Sequence, residues 1–388
     1  MATARLSDRG AAGYTLPPDR RESTRGCRRL ALVGLALFWA LSLGGCPFVP
    51  VGGEGGSSET GSNDTLATAS AVDFDASGKA EFTAKLATSG DVDVYQLGAL
   101  EPGDRLIVDV RAVTAGLDPV AAVFDEREYL YAFNDDREPD ASDLNPRIDV
   151  LIRGEGHSYF LGIAPFPDDG TTGQYRVSVE ITHGNTLLDP EPQIVYLNWA
   201  GGSGIRVENV GIFDLDPFDA ADLGPFAGRT EEMKDAIEAV IADRFEGYAL
   251  TLRNSDDDAV PTEPFSTVYF GGNNPRAFAI SEQIDTFDAD HSDDAIIFTD
   301  GFRGAFSRVP SLEQMATAIG NTAAHEIGHL LGLVHTRDCT GLMDTTCSND
   351  ALLARQVFKL SPLDDSVFPF GLQDAPELIE WAIGTMGL

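Results

Sequence analysis

The run His325-Glu326-Ile327-Gly328-His329-Leu330-Leu331-Gly332-Leu333-Val334-His335 constrains this chain more than any other stretch. It reads H-E-x-x-H-x-x-G-x-x-H and holds three of the six histidines in 388 residues. A helix turns about 100° per residue, so His325 and His329 fall on one face, one turn apart. Two imidazoles stacked this way can share one tetrahedral zinc. Glu326 lies about 100° round from His325, near the metal without having to ligate it. That suits a general base acting on a zinc-bound water. Gly332 can adopt positive φ, end the helix and turn the chain back. His335 can then reach the metal as third ligand. The fourth position stays open, which marks a catalytic rather than a structural zinc.

The alternatives are a buried amphipathic helix that happens to contain histidines, and a metal site without catalysis. The helix carries its own signals. Ser311 and Gln314 form a capping box after Pro310. Leu312, Ala316, Ile319, Ala323, Ile327, Leu330 and Leu331 follow as one apolar stripe. His325 and His329 then point to the opposite side, towards solvent or a cleft.

The eleven-residue motif resembles that of the metzincin metalloendopeptidases. Gly341-Leu342-Met343-Asp344 resembles the methionine turn of that clan. The interval from His335 to Met343, with Asp338 between them, is most similar to the matrixin branch. The resemblance implies zinc ligands at His325, His329 and His335, a base at Glu326 and a hydrophobic floor at Met343. Taken alone, Met343 also fits an ordinary core methionine. The chain departs from the matrixin pattern in having Thr336 after the third histidine, where Ser is usual. It has Asp344 after the methionine, where Tyr-Pro is usual. No tyrosine follows Met343, so the fifth ligand of astacin-like and serralysin-like enzymes is not expected, and neither is a cysteine-switch propeptide.

Arg20, Arg21, Arg25, Arg28 and Arg29 precede an apolar run from Leu30 to Gly45. That run is short for a spanning helix and suits a signal-peptide core. Its end, Leu43-Gly44-Gly45-Cys46, resembles a bacterial lipobox, which implies a lipidated Cys46 and a bacterial cell-envelope location. An ordinary signal peptide, giving a secreted protein, and an uncleaved anchor are the alternatives. The glycine- and serine-rich stretch up to Ser62 reads as a flexible tether. Of the four cysteines, only Cys339 and Cys347 are then left for the folded part. They bracket Met343, and an exported protein can keep a disulfide there, worth roughly 2–3 kcal/mol. Free thiols or a second metal site are the competing readings.

The chain has 27 basic and 62 acidic residues and a formal net charge of −35. Such a balance repels nucleic acid and anionic membrane surfaces. It favours solubility, calcium binding or a saline habitat.

The expected organisation is a signal peptide at 1–45, a linker at 46–62, an all-β sandwich at 63–185 and a mixed-sheet α+β domain at 190–388. Tyr175, Val177, Val179 and Ile181 alternate with polar residues, the mark of a half-buried strand. Val92-Val94, Leu106-Val108-Val110, Ile148-Val150-Ile152 and Tyr159-Leu161-Ile163 repeat that pattern. Turns such as Glu101-Pro102-Gly103-Asp104 and Asp168-Asp169-Gly170 separate them. A sandwich of seven or eight strands follows. Asn63-Asp64-Thr65, Gly90-Asp91-Val92-Asp93-Val94-Tyr95, Asp118-Pro119-Val120, Asn134-Asp135-Asp136 and Gly173-Gln174-Tyr175 are similar to motifs of bacterial pre-peptidase domains. The resemblance implies an accessory module that binds substrate or calcium; an inert spacer is the alternative. Its calcium candidates are Asp91, Asp93, Asp135 and Asp136.

Beyond Leu187 to Pro192, strands are expected at Ile194 to Trp199, 248–253, 265–270 and 295–299. A helix is expected from a Thr230 cap, with Met233, Ile237, Val240, Ile241 and Phe245 as its apolar face. The zinc helix then lies beneath a sheet edge, where an extended peptide could pair. The loop with Asp285, Asp288, Asp290, His291, Asp293 and Asp294 resembles matrixin loops that carry calcium or a second zinc. A solvated acidic loop is the plainer reading. His157 and His183 need no metal. Val367, Phe368 and Phe370 suggest an apolar substrate-pocket lining, or simply core.

The residues together point to an exported, lipid-anchored zinc metalloendopeptidase with one catalytic zinc, acting on protein or peptide. Two other classes remain. One is a tethered binding protein with an inactive peptidase-like domain. The other is a zinc amidase acting on a non-protein amide.

Overall fold

The computed structural model describes residues 63–137, 143–167, 170–207 and 211–387. The expectations for the signal segment, the tether, Cys46 and the Asp168-Asp169 turn lie outside these residues. Among the described residues no helix is long and apolar enough to cross a membrane.

The N-terminal region is a two-sheet sandwich. Its strands are β1 Ser70–Ala71, β2 Lys79–Leu86, β3 Asp93–Leu100, β4 Arg105–Ala112, β5 Pro119–Asp125, β6 Leu130–Asn134, β7 Arg147–Leu151, β8 His157–Pro165 and β9 Gly173–Thr182. One sheet has the order β1-β3-β8-β5-β6 and the other β2-β9-β4-β7. The alternating strands behave as their sequence requires: β9 buries Tyr175, Val177, Val179 and Ile181 and turns the residues between them outward. These side chains meet Leu97, Val123, Leu161 and Ile163 from the facing sheet in one core. The extra strand relative to the seven or eight expected is β1, only two residues long.

β5 does not alternate. All seven of its residues are buried, because both faces of its sheet are covered. The inner face meets the other sheet. The outer face, with Val94, Val120, Ala122, Phe124 and Phe160, packs against Val334, Leu363, Val367 and Phe368 of the C-terminal region. Phe124 lies 5.3 Å from Phe368 and 4.9 Å from Phe370, ring centre to ring centre. Val367 and Phe368 are therefore core residues of this contact, the second of the two readings that their sequence allows. Gly162 makes room for it: a Cβ there would stand 2.7 Å from Phe368. Phe124→Ala should destabilise the protein by about 3–5 kcal/mol, as for other buried Phe truncations. Chemical denaturation measures this, and a loss below about 1 kcal/mol would mean the contact is loose.

The C-terminal region is mixed. Its strands are β10 Gln193–Asn198, β11 Gly202–Val207, β12 Gly211–Leu215, β13 Leu250–Asn254, β14 Ser266–Phe270, β15 Ala279–Ser281, β16 Asp294–Ile297, β17 Leu360–Pro362 and β18 Leu372–Asp374. The main sheet runs β13-β10-β14-β16-β15. Its first four strands are parallel and β15 closes one edge antiparallel to β16. Helices α1 Thr230–Arg244, α2 Leu312–Leu330 and α3 Ala375–Ile383 share its core. In α1 the expected face is inside, with Met233, Ile237, Ile241 and Phe245 buried. Thr230 is not the cap, however. Arg229 holds that position, while the Thr230 hydroxyl donates to Asp219 and accepts from the Ala220 amide. β15 and α3 were not legible in advance: the first is three residues long and the second nine, each too short to show a period.

Candidate metal centre

Helix α2 starts at the expected place. Ser311 Oγ accepts from the Gln314 amide at 3.3 Å, and Gln314 Oε1 accepts from the Ser311 amide at 3.2 Å. From Met315 to Leu330 nearly every residue is buried. This corrects the expectation that His325 and His329 face solvent or an open cleft: both are 0% exposed. α1 packs along α2, and the segment around Met343 covers the histidines.

The helix ends at Leu330, and Gly332 turns the chain with φ of 94°. A side chain could not follow, since a Cβ on Gly332 would stand 2.9 Å from Asp285 O and from the Thr286 backbone. The turn brings His335 back to the helical pair. The ligating atoms of His325, His329 and His335 all lie within 4.8 Å of one another.

The hydrogen bonds fix which nitrogen faces inward. His325 Nδ1 donates to Leu342 O and His329 Nδ1 donates to Leu333 O, each at 2.7 Å. A carbonyl can only accept, so the proton sits on Nδ1 and the lone pair on Nε2. The two Nε2 atoms are 3.0 Å apart. Two lone pairs do not bond each other. They fit a shared cation, for which tetrahedral zinc–nitrogen geometry gives a separation of about 3.3 Å. His335 Nε2 is buried and has no hydrogen-bond partner. Burial, chiefly, moves all three imidazoles down in pKa: His325 to about 3, His335 to about 4 and His329 well below its usual value. All are neutral near pH 7, the form that ligates a metal. The donor set therefore fits one divalent zinc.

Glu326 is 0% exposed, and both carboxylate oxygens are buried. Burial pushes its carboxyl well above the usual range, and Ser281 offsets only part of this. A nearby cation would draw it back towards the charged form. Ser281 ends the edge strand β15, so the sheet edge and the carboxylate are neighbours.

Met343 is 2% exposed and sits under the helix. A Cβ on Gly328 would stand 2.8 Å from Met343 Sδ, so this glycine lets the sulfur approach the helix. The methionine turn is tied on all sides. The Thr336 amide donates to Met343 O at 2.8 Å and the Leu342 amide to Val357 O at 3.0 Å. Asp344 holds Thr346 Oγ1 at 2.7 Å and the Cys347 amide at 3.2 Å. Cys339 and Cys347 are joined as a disulfide with Cα atoms 5.5 Å apart. It closes the loop that carries Met343.

The other acidic candidates separate into two kinds. Asp91 accepts from the Ala87 amide and Asp93 from Tyr175 Oη. Among the described residues no group of three metal-ligating side chains includes Asp91, Asp93, Asp135 or Asp136. His157 pairs with Glu126 at 2.8 Å and His183 with Asp104 at 2.9 Å. The loop after β15 differs. Asp288 and Asp293 are 2% and 1% exposed. Both Asp288 oxygens and one Asp293 oxygen are buried without a hydrogen bond. His291 Nδ1 is 3.1 Å from Asp288 but closer, at 2.9 Å, to Gln193 Oε1. Burial, chiefly, raises Asp288 to about 8 and Asp293 to about 9.

Residues 251–366 match the family model of the matrixin peptidases. Comparison with curated protein sequences yields no match. Among solved structures, the chain is similar to archaemetzincin from Methanopyrus kandleri at 10% identity, covering 43% of this chain and 87% of that one, with a TM-score of 0.25. It is similar to a zinc-dependent peptidase from Methanocorpusculum labreanum at 14% identity, covering 42% and 93%, with a TM-score of 0.24. It is also similar to the pre-peptidase C-terminal domain of a Bacillus anthracis collagenase at 14% identity, covering 29% and 94%, with a TM-score of 0.21. Residues 251–366 thus carry a catalytic domain of the matrixin type, and a β-sandwich precedes them.

Proposed function

We propose that the protein is an exported zinc metalloendopeptidase in which His325, His329 and His335 hold the metal and Glu326 is the general base. The observation that carries this is the convergence of one ring nitrogen from each imidazole, with Nδ1 of His325 and His329 spent on main-chain carbonyls. When bound, zinc lowers the pKa of water towards neutrality and polarises the scissile carbonyl. Glu326 takes the proton of the attacking water and delivers it to the leaving amine. Edge strand β15 offers main-chain groups to an extended peptide, which favours an internal bond over a chain end. Cleavage of casein should stop when zinc is stripped by a chelator and return with one equivalent of zinc. Undiminished cleavage by metal-free protein would end this reading.

We further propose that Cys46 is lipidated and holds the protein at the cell envelope. The positive, then apolar, then Leu-Gly-Gly-Cys order supports this, and the Cys339–Cys347 disulfide supports an oxidising compartment. The loop with Asp288 and Asp293 is proposed to take calcium, on the strength of its buried carboxylates without hydrogen bonds. Without a cation, raised carboxyl pKa values mean that the folded state binds more protons than the unfolded. Stability should then fall as pH rises from about 4 towards 8, by up to about 1.4 kcal/mol per unit for Asp288. Calcium should flatten that slope, and Asp288→Asn should remove the Asp288 share of the slope, leaving that of Asp293, and abolish the calcium effect. A melting temperature indifferent to calcium at pH 8 would exclude the site.

A further inference from the structure

We infer that Gln373 is a positioning residue for the metal centre. The inference rests on the zinc reading above. Gln373 is 0% exposed and lies in β18, far in sequence from the histidines. Its carboxamide is spent on one residue. Oε1 accepts from the Val334 amide at 2.7 Å, and Nε2 donates to Val334 O at 2.9 Å. The side chain thus acts as a single rung of sheet, holding the Val334 main chain from both ends. Among the described residues no main-chain hydrogen bond reaches Val334.

The two clamped peptide units lead directly to two imidazoles. The amide of Val334 belongs to the same planar unit as Leu333 O, and that oxygen accepts from His329 Nδ1 at 2.7 Å. The carbonyl of Val334 belongs to the unit that carries the nitrogen of His335. Fixing the first plane aims His329. Fixing the second sets where the chain enters His335. The helix ended four residues earlier, after which Gly332 gives the chain unusual freedom. The Leu333 amide is tied to Gly328 O and His335 O is held by the Asp364 amide; at Val334, between them, Gln373 supplies the clamp.

Gln373 is itself braced from the sandwich. The Leu372 amide donates to Glu128 O at 2.9 Å, in the turn between β5 and β6. Gly371, at φ of 109°, lets Phe124 approach so closely that a Cβ would stand 2.5 Å from the ring. On the other side, Asp374 caps α3 by accepting from the Glu377 amide. The sandwich therefore touches the metal centre through a short chain of contacts: Glu128 to Leu372, then Gln373 to Val334, then His329 and His335.

The test compares zinc affinity, by chelator competition, and the visible spectrum of the cobalt(II) form in the full protein. Gln373→Met keeps the volume and removes both hydrogen bonds. It should weaken zinc binding about 10–100-fold, as loss of a group that orients metal ligands does, and shift the cobalt bands. Gln373→Glu, whose buried neutral acid offers the same acceptor and donor, should recover most of the affinity. Leu106→Ala, in the core of the sandwich away from the contact, should lose stability with zinc affinity and spectrum unchanged. Wild-type affinity and spectrum in Gln373→Met would overturn the inference while leaving the zinc site standing. Equal losses in Leu106→Ala would also overturn it, reducing Gln373 to general stability. Wild-type protein without zinc would remove the metal reading and the clamp together.

Discussion

Glu326→Gln should keep one zinc per chain and lose about 10²–10⁴-fold in kcat/KM, the contribution typical of a positioned general base. The substitution preserves shape and removes only the basic oxygen. The side chain is fully buried, so a shorter residue would leave a void and confuse the reading. Metal content should not respond, because the donor set is complete without Glu326. The metal-free carboxyl is held well above its usual range by burial. A cation beside it favours the ionised form, which is the form a general base needs. The measurement is kcat/KM on a peptide substrate beside zinc quantified in both proteins. Activity within tenfold of wild type, at equal zinc, would take the base role away from Glu326.

The centre was legible because its logic is local. Eleven residues fix a helical pair, a glycine turn and a third histidine, and the turn obeys the one-residue conformational rule at Gly332. The capping box at Ser311 and the alternation of β9 are local in the same sense. What was not legible depends on partners remote in the chain. Gln373 and Val334 are 39 residues apart, and a glutamine carries no mark of such a bond. Gly328 reads as filler within the motif until Met343 Sδ is seen beside it. β5 could have been suspected, since Pro119-Val120-Ala121-Ala122-Val123-Phe124 lacks the alternation of its neighbours. A run apolar on both faces signals a strand covered twice. Val367, Phe368 and Phe370 fit a pocket lining and a core alike in sequence, because their covering surface belongs to the sandwich rather than to the catalytic domain.

His329→Ala should lose zinc, with binding weaker by on the order of 10²–10³-fold if about 10–16 kcal/mol is shared among the ligands of a site. His329 has a double hold on the centre. Its Nε2 faces that of His325 at 3.0 Å, and its Nδ1 ties Leu333 O and hence the ligand loop. Alanine removes one donor and leaves a buried carbonyl without its partner, which costs about 1–3 kcal/mol more. Added zinc should raise the wild-type melting temperature by mass action and leave that of the variant unchanged. Metal-free protein gives a second signature. The three imidazoles have folded pKa values far below the unfolded 6.5, so below that pH the unfolded state binds more protons. Their contribution is intact above about 6.5 and is lost as pH falls towards 4, by about 1.4 kcal/mol per unit for each imidazole. The variant should show that acid slope diminished by one imidazole. Wild-type zinc stoichiometry with an unchanged zinc-induced melting shift would remove His329 from the ligand set.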